Sequence, residues 1–181
     1  MWALDSIVKS GKALYVGLSN YNGEQLKAAT DILKSLNCPF VINQNRYSIF
    51  DRNIEHNGLL ETAKQEKKGV IIFSPLAQGL LTNRYIDGIP ADSRVKKSGI
   101  FLKESHLTPE RLSQINALNQ IALERGETLA QMSLAWVLQT EGITSVLVGA
   151  SKPEQILDNI GAINSAPFTT EQLKQIDEIV L

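Results

Sequence analysis

Four short apolar runs, rich in β-branched residues, recur along this chain, and a stretch of helical period follows each of them. The runs are ALYVGLS (13–19), FVINQ (40–44), VIIFS (70–74) and SVLVG (145–149). Apolar runs this short fit strands buried on both faces of a parallel sheet. The helices carry their own punctuation. Asn22 with Gln25 opens one that runs to about Leu36, with Leu26, Ala29, Leu33 and Leu36 on a single stripe. Residues 56–68 form the next, ended by Gly69. Thr108 caps a helix over 108–125 that has Pro109 at its first position, and another spans about 129–139. Ser151 and Glu154 make a capping box before a helix to about Ile163, and Thr169 with Gln172 opens the last one. Residues 1–10 read as a short helix stopped by Gly11, with Trp2, Leu4, Ile7 and Val8 as candidate buried positions.

Strands alternating with helices call for a parallel sheet with right-handed crossovers. Four such units are too few for a closed eight-stranded barrel, which takes about 250 residues. No G-x-G-x-x-G follows a strand, so the dinucleotide fingerprint of a doubly wound sheet is missing. Half a barrel and a small open sheet both remain compatible with the pattern.

Composition removes several functions. The 181 residues suit one domain, and 43% apolar against 20% charged residues permit a packed core. Eighteen basic and nineteen acidic side chains leave a formal charge of −1, which gives nucleic acid no basic stripe to bind. The lone Cys38 excludes a disulfide framework and a cysteine-rich metal site. No apolar run reaches the 18–20 residues that span a bilayer. Asp5, Lys9 and Lys12 interrupt the place where a signal peptide keeps its apolar segment. These features imply a soluble, cytoplasmic protein with no membrane or nucleic-acid partner.

In parallel α/β folds, ligands bind at the C-terminal ends of the strands and in the loops that follow. Here those places hold Ser19-Asn20, Gln44-Asn45-Arg46-Tyr47, Ser74 to Gly79 and Gly149-Ala150-Ser151. Asn and Gln donate and accept at once, which suits an amide-bearing ligand, although the same residues also serve as ordinary turn caps. The connection from Pro75 to Leu107 is long for a compact domain. Its Arg84, Arg94, Lys96 and Lys97 fit either an anion clamp or a solvated basic loop. Ser151 to Glu154 fits a simple cap or, through the helix N–H groups and dipole, an anion site. His56 and His106 lack partners at metal-ligand spacing. No nucleophile elbow and no P-loop is present.

Taken together, GKALYVGLSNY (11–21), QNRYSIF (44–50), IIFSPLAQGLLTNRY (71–85), DGIPADSR (87–94) and SVLVGASKPEQILDNIGAI (145–163) resemble the aldo-keto reductases, in particular the bacterial branch related to potassium-channel beta subunits. The resemblance covers nearly the whole chain, in order and spacing. It implies the C-terminal half of a TIM (β/α)8 barrel, with four parallel strands alternating with helices as barrel strands five to eight. It also implies an NADP(H)-dependent carbonyl/alcohol oxidoreductase family. By that likeness Ser19, Asn20 and Gln44 hold the nicotinamide carboxamide, and Phe73 stacks on the nicotinamide ring. The Ser74, Pro75, Leu76 and Ala77 backbone lies with Gly79 along the pyrophosphate, and Arg84 and Arg94 reach over the phosphates. Gly149, Ser151, Gln155, Asp158 and Asn159 take the adenosine end and its 2′-phosphate, Asp158 standing where relatives more often carry Glu.

The resemblance stops short of the reaction centre. The family's Asp, Tyr, Lys and His tetrad belongs to the first half of its barrel, and none of those four positions falls within these residues. Tyr15, Tyr21, Tyr47 and Tyr85 belong to other motifs. General acid catalysis contributes about 10²–10⁴-fold, so the chain alone is expected to be inactive toward a small carbonyl substrate. The alternative is a non-catalytic nucleotide-binding or interaction half-domain. An opened barrel exposes two strand edges and an apolar face, which leads us to expect a homo-oligomer or a complementing chain.

Overall fold

The computed structural model describes residues 1–86 and 107–181. Its centre is a four-stranded parallel sheet of order β1-β2-β3-β4, comprising β1 (Val16–Ser19), β2 (Phe40–Arg46), β3 (Gly69–Phe73) and β4 (Ile143–Val146). Spatial order equals sequence order, as for consecutive strands of a barrel wall. Among the described residues the sheet does not close, since β1 pairs there with β2 alone and β4 with β3 alone. The expected α/β class is therefore what the chain adopts.

All four strands differ in their bounds from the sequence pattern: β3 is shifted by one residue, Gly69–Phe73 against 70–74, and for the other three the neighbouring strand explains the difference. β1 begins at Val16 because its ladder starts with Val16 N–H donating to the Pro39 carbonyl, just before β2 begins. Leu14 and Tyr15 stay outside it and exposed. β2 extends two residues beyond Gln44, since Asn45 and Arg46 still pair with Ile72 and Phe73. β4 spans 143–146 rather than 145–149, because Ile143 and Val146 pair with Val70 and Ile72 near the end of β3. The helix expected over 56–68 is two, α3 (Asn53–His56) and α4 (Leu59–Gln65), divided by Gly58 at φ 76°.

The chain forms two compact units. The first comprises Met1–Tyr47, Asp51–Phe73 and Thr140–Leu147. It contains the whole sheet, with α1 (Trp2–Lys9), α2 (Gly23–Ser35), α3 and α4. The Asn22/Gln25 capping box opens α2 as expected, and Leu26, Ala29 and Leu33 are buried along its stripe. Gly23 is required by close approach, because a Cβ there would stand 2.4 Å from the Gly58 carbonyl oxygen. In α1 the expectation fails. Trp2 and Ile7 are exposed, Leu4 and Val8 are half-buried, and Asp5 is the buried residue, paired with Lys9 at 2.8 Å. The helix turns its one neutralised carboxylate inward, and no apolar surface among the described residues covers Trp2.

The second unit comprises Ser48–Phe50, Ser74–Gln139 and Val148–Leu181. Its helices are α5 (Pro109–Glu124), α6 (Leu129–Gln139), α7 (Pro153–Ile160) and α8 (Thr170–Val180), with short 3-10 turns at Ala77–Gly79, Asn83–Tyr85 and Gly161–Asn164. α6 is buried almost all round, from Leu129 to Val137, which suits its continuous apolar sequence. α5 buries only Ile115, Leu118, Ile121 and Ala122. The expected caps hold at Thr108 and at Thr169 with Gln172. At α7 the box shifts. Pro153 confines Lys152 to an extended conformation (φ −143°, ψ 146°) and occupies the first helical position itself. Gln155, rather than Glu154, then accepts from the free N–H groups of Ser151 and Lys152.

Arg125 ties this unit together. Its side chain is only 4% exposed and donates to Glu127, to Gln172 at 2.7 Å and to the Ala166 carbonyl at 2.7 Å, with the guanidinium 3.9 Å from the Phe168 ring centre. Arg125→Met leaves Glu127 uncompensated and should destabilise the unit by about 3–5 kcal/mol in urea denaturation. In the first unit the Lys34 ammonium, hydrogen-bonded to Glu66, holds that carboxyl below its ordinary value of 4.5. The folded pKa lies below the unfolded one, so this support is present above the unfolded value and lost as pH falls through the folded one. The stability of Glu66→Gln, measured by urea denaturation at a series of pH values, should therefore depend less on pH across that window than that of the parent.

Candidate functional site

Residues partnered across a parallel ladder project to the same side of the sheet, and successive residues alternate sides. Ser19 is in register with Gln44, Gln44 with Ile71, and Ile71 with Ser145. Two residues further on, Arg46 is in register with Phe73. Ser19, Gln44 and Phe73 thus share one face at the C-terminal ends of three adjacent strands, so a hydroxyl, an amide and an aromatic ring converge there. Asn20 follows at φ 59°, a left-handed conformation that Asn tolerates better than most residues, and its N–H donates to the Gln44 carbonyl at 2.8 Å.

The opposite face carries Asn43, which sequence reasoning missed, and Asn45, which it placed at the strand end without its anchoring role. Asn43 and Asn45 are buried, and their side-chain amides donate to the Tyr21 carbonyl at 3.3 and 3.2 Å. The Asn43 amide also donates to the Asn45 side-chain oxygen. The two amides anchor the turn that presents Asn20. The signal was available, because Asn-Gln-Asn inside an apolar strand puts polar groups on both faces, and buried polar groups need partners. Around this turn lies a cavity of about 410 Å³, lined by Asn20, Asn22, Gln25, Asn45, Arg46, Asp51, Asn53, Ile54 and Asn57. Its one cation is matched, Arg46 lying 3.0 Å from Asp51. Ser19, Gln44 and Phe73 are not among the residues that line it, so this cavity is not the face they share.

Tyr47 belongs to none of this chemistry. It is fully buried and its hydroxyl donates to Glu55, and burial together with that hydrogen bond pushes its pKa far above the usual phenol range. It stays protonated.

In the second unit the Ser74–Gly79 segment has an unusual backbone. Ser74 (φ 55°), Ala77 (47°), Gln78 (61°) and Gly79 (99°) all have positive φ. For L-residues such as Ala77 the left-handed region costs roughly 1–2 kcal/mol, and strain of this kind gathers at functional loops. The Ala77 and Leu80 N–H groups are turned inward, donating to the Ser74 and Ala77 carbonyls. The loop is braced by Gln78, whose amide donates to the Ser74 hydroxyl at 2.8 Å, and by the Leu76 carbonyl, which accepts from Gly79 and Leu81. Arg84 follows in the 3-10 turn Asn83–Tyr85. Arg94, Lys96 and Lys97 lie outside the described residues.

At the start of α7, Gly149, Ser151 and Gln155 are exposed, and Asn159 is buried. The Gln155 side-chain oxygen accepts from the Ser151 N–H at 2.8 Å and its hydroxyl at 3.1 Å. Asp158 turns the other way, accepting from Gln131 and Thr128 of the α6 start. Among the described residues no cluster of His, Cys, Asp and Glu could hold a metal ion, and no helix is long and apolar enough to cross a membrane.

Comparison with known proteins assigns the class. The aldo/keto reductase family model matches residues 1–181, and the chain belongs to that family. It is 45% identical over 181 residues to an L-glyceraldehyde 3-phosphate reductase of Escherichia coli O157:H7, covering 97% of this chain and 52% of that protein. The Escherichia coli K12 protein of the same name is 43% identical over the same shares. A putative voltage-gated potassium channel subunit beta of Schizosaccharomyces pombe is 35% identical, with 98% of this chain and 53% of that protein covered. The chain thus spans about half the length of the curated relatives it matches. Members of this family generally use a nicotinamide dinucleotide.

The anchoring role of the buried amides is measurable. Asn45→Ala leaves the Tyr21 carbonyl and the Asn43 amide short of partners and should cost about 1–3 kcal/mol in chemical denaturation.

Proposed function

We propose that this chain supplies the nucleotide-binding platform of an NADP(H)-dependent carbonyl/alcohol oxidoreductase and does not by itself complete the reduction. The observation that carries the reading is the register that sets Ser19, Gln44 and Phe73 on one face at adjacent strand ends. In the first unit, Ser19, Asn20 and Gln44 would bind the carboxamide through amide and hydroxyl groups that both donate and accept, and Phe73 would stack against the ring. In the second unit, the backbone of Ser74, Pro75, Leu76 and Ala77, with Gly79, would cradle the diphosphate. Arg84 and Arg94 would neutralise it, and Gly149, Ser151, Gln155 and Asn159 would take the adenosine end. Asp158 would join them at that end.

When bound, NADPH supplies hydride to a carbonyl carbon. The proton for the developing alkoxide needs an acid, and Tyr47, buried against Glu55, is unsuited to that role. A small aldehyde or ketone is the expected substrate class of the assembled enzyme. The reductases of Escherichia coli named above support a phosphorylated aldehyde.

A non-catalytic interaction role is the second reading. It is favoured by the open edges of the sheet and by Trp2, Leu14 and Tyr15, which are 73%, 80% and 63% exposed in the first unit. Exposed apolar groups and unpaired strand edges favour association with a second copy or a complementing chain.

Titration of the purified chain with NADPH, with sedimentation followed in the same samples, tests both readings. Saturable binding without carbonyl turnover is expected, with Gln44→Leu weakening the affinity about tenfold. Turnover above buffer rates would defeat the platform reading, and a monomer at micromolar concentration would defeat self-association.

A further inference from the structure

The cavity of about 410 Å³ beside the turn after β1 lies wholly within the first unit, and the nucleotide reading uses nothing of its lining except Asn20. Three of the amides that line it have spent their oxygens on the backbone. The Asn22 Oδ1 accepts from the Gln25 N–H at 2.9 Å, and the Gln25 Oε1 accepts from the Asn22 N–H at 3.0 Å. The Asn57 Oδ1 accepts from the Leu59 N–H at 3.1 Å. Each side chain is left with its NH₂ group, and none of these three groups has a partner among the described residues.

A fourth amide adds to them from inside the fold. Asn45 is 5% exposed and lines the cavity. Its oxygen accepts from Asn43, and its nitrogen gives one hydrogen to the Tyr21 carbonyl. A second hydrogen of this buried amide is left over, and buried donors need acceptors. Arg46 meets Asp51 through Nε at 3.0 Å, and its two terminal amino groups have no partner among the described residues. Arg46 and Asp51 are the charged residues of the lining. The cavity is thus near neutral, while its uncommitted hydrogen-bonding groups are mostly donors.

That imbalance selects a ligand. A hydroxyl both donates and accepts, so a polyol would leave many of its own donors unanswered here. An oxyanion only accepts, and its charge strengthens each hydrogen bond it receives. We propose that this cavity binds a small oxyanion, a phosphate either free or as a monoester, through the Asn22, Gln25, Asn45 and Asn57 amides and the Arg46 guanidinium. Ile54 is the apolar residue of the lining and gives an ester carbon a contact. Because the cavity is not the face of Ser19, Gln44 and Phe73, the inference stands apart from the nucleotide reading.

The spent oxygens permit a test that spares the fold. Asn22→Asp, Gln25→Glu and Asn57→Asp keep the acceptor that each backbone N–H uses and exchange the NH₂ group for a second carboxylate oxygen. Nitrogen–proton correlation spectra of the purified chain are followed as inorganic phosphate, methyl phosphate or glycerol is added at constant ionic strength. Phosphate should saturate and shift the side-chain NH₂ signals of Asn22, Gln25 and Asn57, and glycerol should not. Each variant should weaken phosphate about tenfold, with a urea midpoint close to the parent's. Asn37→Asp sets the same added charge just beyond the other end of α2 and should leave phosphate affinity unchanged. Tighter binding of methyl phosphate assigns the site to a monoester, and tighter binding of inorganic phosphate assigns it to the free ion. Unshifted NH₂ signals, equal phosphate affinity in the parent and Asn57→Asp, or an equal loss in Asn37→Asp overturns the inference. So do phosphate shifts confined to Ser74–Gly79, which would put the ion on the nucleotide segment instead.

Discussion

The parallel register of β2 with its two neighbours is the constraint on which the described site depends. A strand has period two, so one residue of slip would turn Gln44 toward the helices and bring Asn43 and Asn45 to the open face. The apolar pattern guards against this on the helix side, where Leu18, Val70 and Ile72 are buried beside the two asparagines. The asparagines guard against it as well, since only in this register do both reach the Tyr21 carbonyl. Packing and hydrogen bonding select the same alignment, and the Ser19–Gln44 pair follows from it.

Both functional segments are fixed by amide side chains rather than by apolar contact. Asn43 and Asn45 hold the turn after β1, and Gln78 braces the left-handed loop after β3. An amide can satisfy a carbonyl and an N–H together and has few rotatable bonds, so it fixes direction as well as distance. Apolar packing tolerates sliding, and a ligand made of a planar amide, a diphosphate and a sugar does not.

Much of this was legible in the chain. The alternation of strands and helices, the caps at Asn22, Thr108 and Thr169, and the strand-end positions of Ser19 and Gln44 follow from local chemistry. The missed features are relational. Strand ends shifted because a ladder ends where its partner does, as β4 shows against β3. Trp2 and Ile7 were expected inside because their spacing is that of a buried stripe, yet periodicity says only that a face is apolar. Asn45 reads as a strand-end polar residue in the sequence, and only the acceptor it shares with Asn43, the Tyr21 carbonyl, shows that the pair anchors the turn.

The sequence by itself determined the α/β class, the parallel sense of the strands, the helix starts at Asn22, Thr108 and Thr169, and the family, because periodicity, caps and motifs are short-range properties of the chain. Only the tertiary structure decided which strand residues share a face, that Asp158 turns to α6, and that Asp5 rather than Trp2 is buried in α1. Those outcomes depend on partners far away in sequence, whose hydrogen bonds and steric limits exist only once the elements have packed.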